Sequence, residues 1–201
     1  MALTLEQMYE MQKQLDSRII REKGLEGRDL LPNTVLALQV EIGELANEWR
    51  GFKHWSNDRE PRTRVKDCLG CSGCKSSEGC EICGGANPLL EEYVDCLHFF
   101  LSIARQLSLD AEDLYMPDDE LEGDTSILFT ELLHNVGMIN GHRFFNHLIE
   151  DTERWQKEYF QTALYLFYLL GEQRLGVTFD QIAAAYVAKN KVNHQRQESG
   201  Y

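Results

Sequence analysis

Apolar residues recur along most of this chain every third or fourth position, the spacing that gathers them on one face of an α-helix. The runs predict helices over about Leu5 to Glu22, Pro32 to Phe52, Pro88 to Leu107, Asp124 to Val136, His142 to Leu170 and Thr178 to His194. Pro32 and Pro88 suit first-turn positions, where a missing amide hydrogen costs nothing, and Asp124 and Thr178 can cap the helices that follow them. No segment alternates apolar and polar residues as a half-buried strand would. The expectation is an all-α bundle in one domain spanning residues 1–201. Between the second and third helices lies Ser56 to Asn87, rich in Gly, Ser, Cys and charge. It reads as an excursion from the bundle, with a cysteine-rich insertion over 67–87.

In the second helix Glu41, Glu44 and Glu48 share one stripe, because offsets of three, four and seven residues return to the same face at about 3.6 residues per turn. The stripe borders the apolar face of Leu38, Leu45, Trp49 and Phe52, and an acidic solvent-facing surface would account for it taken alone. The helix from Pro88 to Leu107 is different: it is apolar almost all round and belongs inside the bundle. There Glu92 and Asp95, one turn apart, are flanked by Cys96, Phe99 and Ile103. An ionised carboxylate in such surroundings loses hydration and must recover it from a cation or from hydrogen-bond donors. Salt bridges inside the bundle are the other reading, but Arg105 is the sole Lys or Arg on that helix. Glu41, Glu44, Glu92 and Asp95 together form a set of oxygen ligands that suits Mg²⁺, which keeps water and substrate phosphates in its remaining positions.

The end of the chain reverses the overall sign. From Lys189 to Tyr201 it carries two Lys and one Arg against one Glu. Lys189, Asn193 and Arg196 lie at i, i+4 and i+7 on one helical face, with Tyr186, Asn190 and Gln197 beside it. Cations interleaved with amide donors suit phosphate oxygens. A solvated basic terminus that complements the helix dipole is the alternative.

Composition narrows the function classes. With 201 residues, 43% hydrophobic and 26% charged, the chain can bury one core. It has no apolar run of about 18 residues and its beginning lacks a basic, then apolar, leader pattern, so no membrane is expected and a cytoplasmic location is. A net charge of −13 argues against nucleic-acid binding, which needs clustered Lys and Arg, and leaves room for a small anionic substrate with metal ions. Five of the six cysteines, Cys68, Cys71, Cys74, Cys80 and Cys83, fall in one short segment. Their overlapping C-x-x-C units, with Gly73 and Gly84 nearby, predict a tetrahedral structural Zn²⁺ site of Cys71, Cys74, Cys80 and Cys83, with Cys68 as a competing ligand. An iron–sulfur cluster is the alternative. The insertion reads as a staple for a polar loop; a nucleic-acid-binding or redox module is the other reading.

The segments E-I-G-E (Glu41 to Glu44), W-R-G-F-K-H-W (Trp49 to Trp55), N-P-L-L-E-E-Y-V-D (Asn87 to Asp95) and K-N-K-V-N-H-Q-R-Q-E-S-G-Y (Lys189 to Tyr201) resemble the dimeric, all-α dUTPases, within the MazG-like nucleoside triphosphate pyrophosphatases. The resemblance implies a helical bundle of that type, a homodimer, and hydrolysis of dUTP and dUDP to dUMP with two or more Mg²⁺ on the four carboxylates. It implies attack at the β-phosphorus by a metal-activated water, with Glu44 or Glu41 as general base. It further implies that Lys189, Asn190, Asn193 and Arg196 hold phosphates, and that Gln12, Asp16 and Trp55 contact base or sugar. Asp16 stands where the family has Asn, so a pyrophosphatase for dCTP or a modified nucleotide stays open. A non-enzymatic zinc-containing binding protein is the remaining alternative.

Overall fold

The computed structural model describes residues 3–64, 86–141 and 151–200, which form six α-helices and, among the described residues, no strand. The first, α1 (Leu5–Lys23), opens with a reciprocal capping box between Thr4 and Gln7 and closes on Gly24 in the left-handed conformation. The next two are α2 (Leu31–Trp49), with Pro32 in its first turn, and α3 (Pro88–Gln106), capped by the Asn87 side chain on the Leu90 amide at 3.1 Å. A short 3-10 turn, Ala111–Leu114, precedes α4 (Thr125–Gly141). Then come α5 (Thr152–Leu170) and α6 (Phe179–Glu198), capped by Asp151 and Thr178.

The predicted helices are present, with shifts at their ends. The second stops three residues early: Arg50 takes a left-handed φ of 63°, its amide closes on the Ala46 carbonyl, and Phe52 joins a ring cluster with Trp49 and Trp55. The fourth continues past Val136 to Gly141. The last continues to Glu198, where Arg18 of α1 reaches the His194 carbonyl at 3.3 Å and Glu198 at 3.6 Å. Residues 142–150, where the sequence pattern starts the fifth helix, lie outside the described residues. After α5 the backbone widens into one π turn, Gly171–Leu175. Gly171 is required there because a Cβ would overlap the Tyr93 ring.

Helix α3 is the axis of the bundle. It packs on α1, α2 and α6, while α4 pairs with α5 and leans on α2. The core is continuous from Met8 and Leu38 through Phe100 to Phe160 and Phe167, all fully buried. Tyr93 stacks on Phe167 with ring centroids 4.2 Å apart. Each such large side chain contributes about 1.5–3 kcal/mol through lost apolar exposure. The excursion between α2 and α3 is pinned at its base: the Arg62 amide donates to the Glu48 carbonyl at 2.9 Å, and the Arg62 carbonyl accepts from the Leu89 amide at 3.0 Å. No described helix is long and apolar enough to cross a membrane.

Candidate active site

The side-by-side packing of α2 and α3 sets their acidic residues against each other. Carboxylate oxygens of Glu41, Glu44 and Glu92 lie within 4.8 Å of one another. Glu44 is exposed while Glu41 and Glu92 are half-buried. Burial, reinforced by the charges of Asp95, Glu44 and Glu41, pushes the Glu92 carboxyl from 4.5 up to about 7. Burial also raises Glu41, with Asp95 and Glu44 adding to it and a hydrogen bond to Glu92 pulling it back. Such a cluster repels itself unless a cation or a shared proton compensates. Its all-oxygen donor set fits a hard divalent ion.

Asp95, one turn beyond Glu92, is neutralised differently. Its carboxylate is ion-paired with the Lys189 ammonium from α6. Burial raises the Asp95 carboxyl, and the Lys189 and Arg196 charges oppose that rise. This corrects the reading that set salt bridges aside because α3 itself offers only Arg105. The partner exists but stands 94 positions away in the sequence. Glu48, at the end of the Glu stripe, turns away from the cluster and faces Arg62 at 3.9 Å, at the stem of the excursion.

A cavity of about 270 Å³ opens beside these carboxylates between α1, α2, α3 and α6. Glu41 and Asp95 line it, with Lys189, Asn193 and Arg196 along the α6 wall. Gln12, Asp16, His98 and Ser102 also line it. The face predicted for the terminal helix thus turns its basic residues toward the predicted carboxylates. Four candidates do not line the cavity: Glu44 and Glu92, which belong to the acidic cluster with Glu41, and Asn190 and Trp55. Asn190 is buried but does not line this cavity, and its side-chain nitrogen has no partner. Trp55 is 68% exposed, edge-on to Phe52 and His54, and also outside the lining.

Gln12 and Asp16 belong to a buried network that connectivity alone does not reveal. The Gln12 amide nitrogen donates to Asp16 at 2.7 Å and to the Ser102 hydroxyl at 2.9 Å. Asp16 also accepts from Arg105 at 2.5 Å and from the Ser102 hydroxyl at 2.9 Å. The Gln12 carbonyl oxygen lies 2.7 Å from His98 Nδ1 and 2.9 Å from the Tyr186 hydroxyl, whose ring stacks on His98 at 4.1 Å. Asp16 is therefore engaged by protein groups. Sequence reasoning passes over His98 and Ser102, although a signal is available: both are polar on an otherwise apolar helix, at i+3 and i+7 from Asp95 and so on its face.

Cys68, Cys71, Cys74, Cys80 and Cys83 lie outside the described residues. Cys96 is buried in α3 as a free thiol. A family model described as dUTPase matches the chain in two stretches, residues 4–68 and 84–201. No curated protein matches it.

Proposed function

The chain belongs to the all-α dUTPase family and is a dUTP diphosphatase; from that premise we propose that it converts dUTP, and dUDP, to dUMP in a Mg²⁺-dependent reaction at the cavity between α1, α2, α3 and α6. The observation that carries the reading is the convergence of Glu41, Glu44 and Glu92 within 4.8 Å, next to a cavity walled by Lys189, Asn193 and Arg196. Glu41, Glu44, Glu92 and Asp95 would hold the metal. When bound, Mg²⁺ supplies charge neutralisation at the phosphate oxygens and lowers the pKa of a coordinated water.

The chain's own groups do the rest. Glu44 or Glu41 accepts the proton of the attacking water as its oxygen bonds to phosphorus and the bridging bond between the α- and β-phosphates breaks, releasing dUMP and pyrophosphate, or inorganic phosphate from dUDP. Lys189, Asn193 and Arg196 offer donors to the phosphate oxygens and offset charge that develops there. Lys189 spans both roles, since it already neutralises Asp95. Gln12 and its network enclose the nucleoside end.

Two further readings accompany this one. The stretches matched by the family stop short of residues 69–83, which hold Cys71, Cys74, Cys80 and Cys83, and this supports a Zn²⁺-stapled insertion closed at the Arg62–Leu89 stem. Reduced thiols in the cytoplasm suit thiolate ligation. A homodimer is supported by exposed Leu36 (62%) and Val40 (52%), one turn apart and leading to Glu44 on the same face of α2, an apolar stripe that a second copy would cover.

The test is a panel of dUTP, dUDP, dCTP, dTTP and the ribonucleotide UTP, assayed for monophosphate release with Mg²⁺ and with EDTA. Hydrolysis of dUTP well ahead of dCTP and UTP, lost in EDTA, is expected. Preference for dCTP would reassign the substrate, and no Mg²⁺-stimulated hydrolysis at all would return the chain to a binding role.

A further inference from the structure

Asp16 lines the cavity with Gln12, His98 and Ser102, and its oxygens are occupied by Gln12, Ser102 and Arg105. Burial raises its carboxyl, and the Gln12, Arg105 and Ser102 donors oppose that rise; surrounded by these donors, its oxygens act as acceptors. That fixes the orientation of Gln12, because only its NH₂ end can face a carboxylate. The Gln12 carbonyl oxygen is then turned to His98 Nδ1 at 2.7 Å, and an acceptor at that distance requires Nδ1 to carry the ring's proton. His98 Nε2 is left as a bare lone pair. It belongs to a side chain only 5% exposed that lines the cavity, and it has no hydrogen-bond partner. An unpaired buried acceptor is costly unless something else completes it. Burial drives the imidazole down to about 3, so the ring stays neutral and the lone pair stays available.

We propose that Asp16, held by Arg105, is a positioning residue that acts through the Gln12 amide to fix His98 as the Nδ1-protonated tautomer, which presents its Nε2 lone pair to a hydrogen-bond donor of the bound deoxynucleoside. The proposal rests on the dUTPase reading of the cavity and assigns its inner wall a polarity: it accepts. A deoxyuridine has two donors of this kind, the sugar 3′-hydroxyl and the N3–H of the base. Position along α3 places His98 between the carboxylate Asp95 and the Asp16-bound Ser102, at a rise of about 1.5 Å per residue. The relay explains how a carboxylate serves in a pocket for a neutral base: Arg105 takes its charge and Gln12 transmits its hydrogen-bonding sense.

Long-range proton–nitrogen NMR correlations of the full-length protein read the tautomer directly. The expected spectrum shows His98 protonated at Nδ1, with an unprotonated Nε2 signal that moves when dUMP saturates the site. An Nε2-protonated ring, or an Nε2 signal unmoved by saturating dUMP, overturns the proposal. In steady state, Asp16→Ala is expected to raise KM for dUTP about tenfold with kcat little changed and to mix the tautomers, while Asp16→Asn, whose amide oxygen can still accept from Gln12, restores both. A wild-type tautomer and KM in Asp16→Ala would refute the relay. If that variant does not fold, the wild-type spectra still decide. Two analogues separate the donors: 2′,3′-dideoxyUTP lacks the hydroxyl and N3-methyl-dUTP lacks the base donor. The one that His98 contacts is discriminated by the wild type and not by His98→Ala, and equal KM for dUTP and both analogues contradicts the proposal. A protein that turns over dUTP with an Nε2-protonated His98 refutes the relay alone. One with the expected tautomer but no turnover of any nucleotide refutes the activity.

Discussion

Glu92 is the residue at which burial and chemistry meet. Its acidic neighbours and half-buried position raise it from 4.5 to about 7, so the metal-free folded protein keeps a proton that the unfolded chain has lost. Between those values the folded state binds more protons, and stability from this group falls as pH rises, levelling off above the folded value. His98 acts with the opposite sign: lowered from 6.5 to about 3, it stays neutral while the unfolded chain charges in acid, so its contribution grows as pH rises through that window. A comparison with Glu92→Gln separates the two. In EDTA, the variant's thermal midpoint should gain on the wild type's progressively from about pH 5 to pH 8. A gap that is constant or shrinks over that range would show that Glu92 is not strained. Spacing pointed to four carboxylates, of which Glu41, Glu44 and Glu92 come within 4.8 Å of one another, and it did not reveal the pairings. The Asp95–Lys189 and Asp16–Arg105 pairs join residues 94 and 89 positions apart, a separation that only packing closes.

At the level of elements, periodicity located every described helix because each carries an apolar face that has to be buried. The ends were less legible. Helix α2 stops at Trp49, where Arg50 turns left-handed and a Cβ on Gly51 would overlap the Trp49 ring; Gly51 is a local stop signal that the apolar Phe52 beyond it hides from a reading by periodicity. The π turn after α5 exists where Tyr93, from a distant helix, packs against Gly171. Helix α6 was legible as a basic face but not as a wall, and its position depends on long contacts such as Arg18 to His194 and Tyr186 to Met8. Arg196 lines the cavity from this helix, so Arg196→Gln is expected to weaken dUTP binding by about tenfold or more, the worth of a charge-assisted hydrogen bond, with a secondary effect on kcat. An unchanged KM would remove α6 from substrate binding.

For the molecule as a whole, helices α1, α2, α3 and α6 converge on one cavity, and the described residues that flank the excursion meet where the Leu89 amide donates to the Arg62 carbonyl. Elemental analysis of the purified protein should find one Zn²⁺ per chain, lost on replacing Cys80 and Cys83 with Ser; absence of both zinc and iron would end the metal reading of the cysteine run. The central claim concerns the carboxylate cluster, and Glu44→Gln tests it most directly, since Glu44 is exposed and its replacement leaves the core intact. With saturating Mg²⁺ and dUTP, the variant should unfold at a temperature near that of the wild type and lose about a hundredfold or more in kcat. Release of dUMP at the wild-type rate by a correctly folded Glu44→Gln protein would contradict the account.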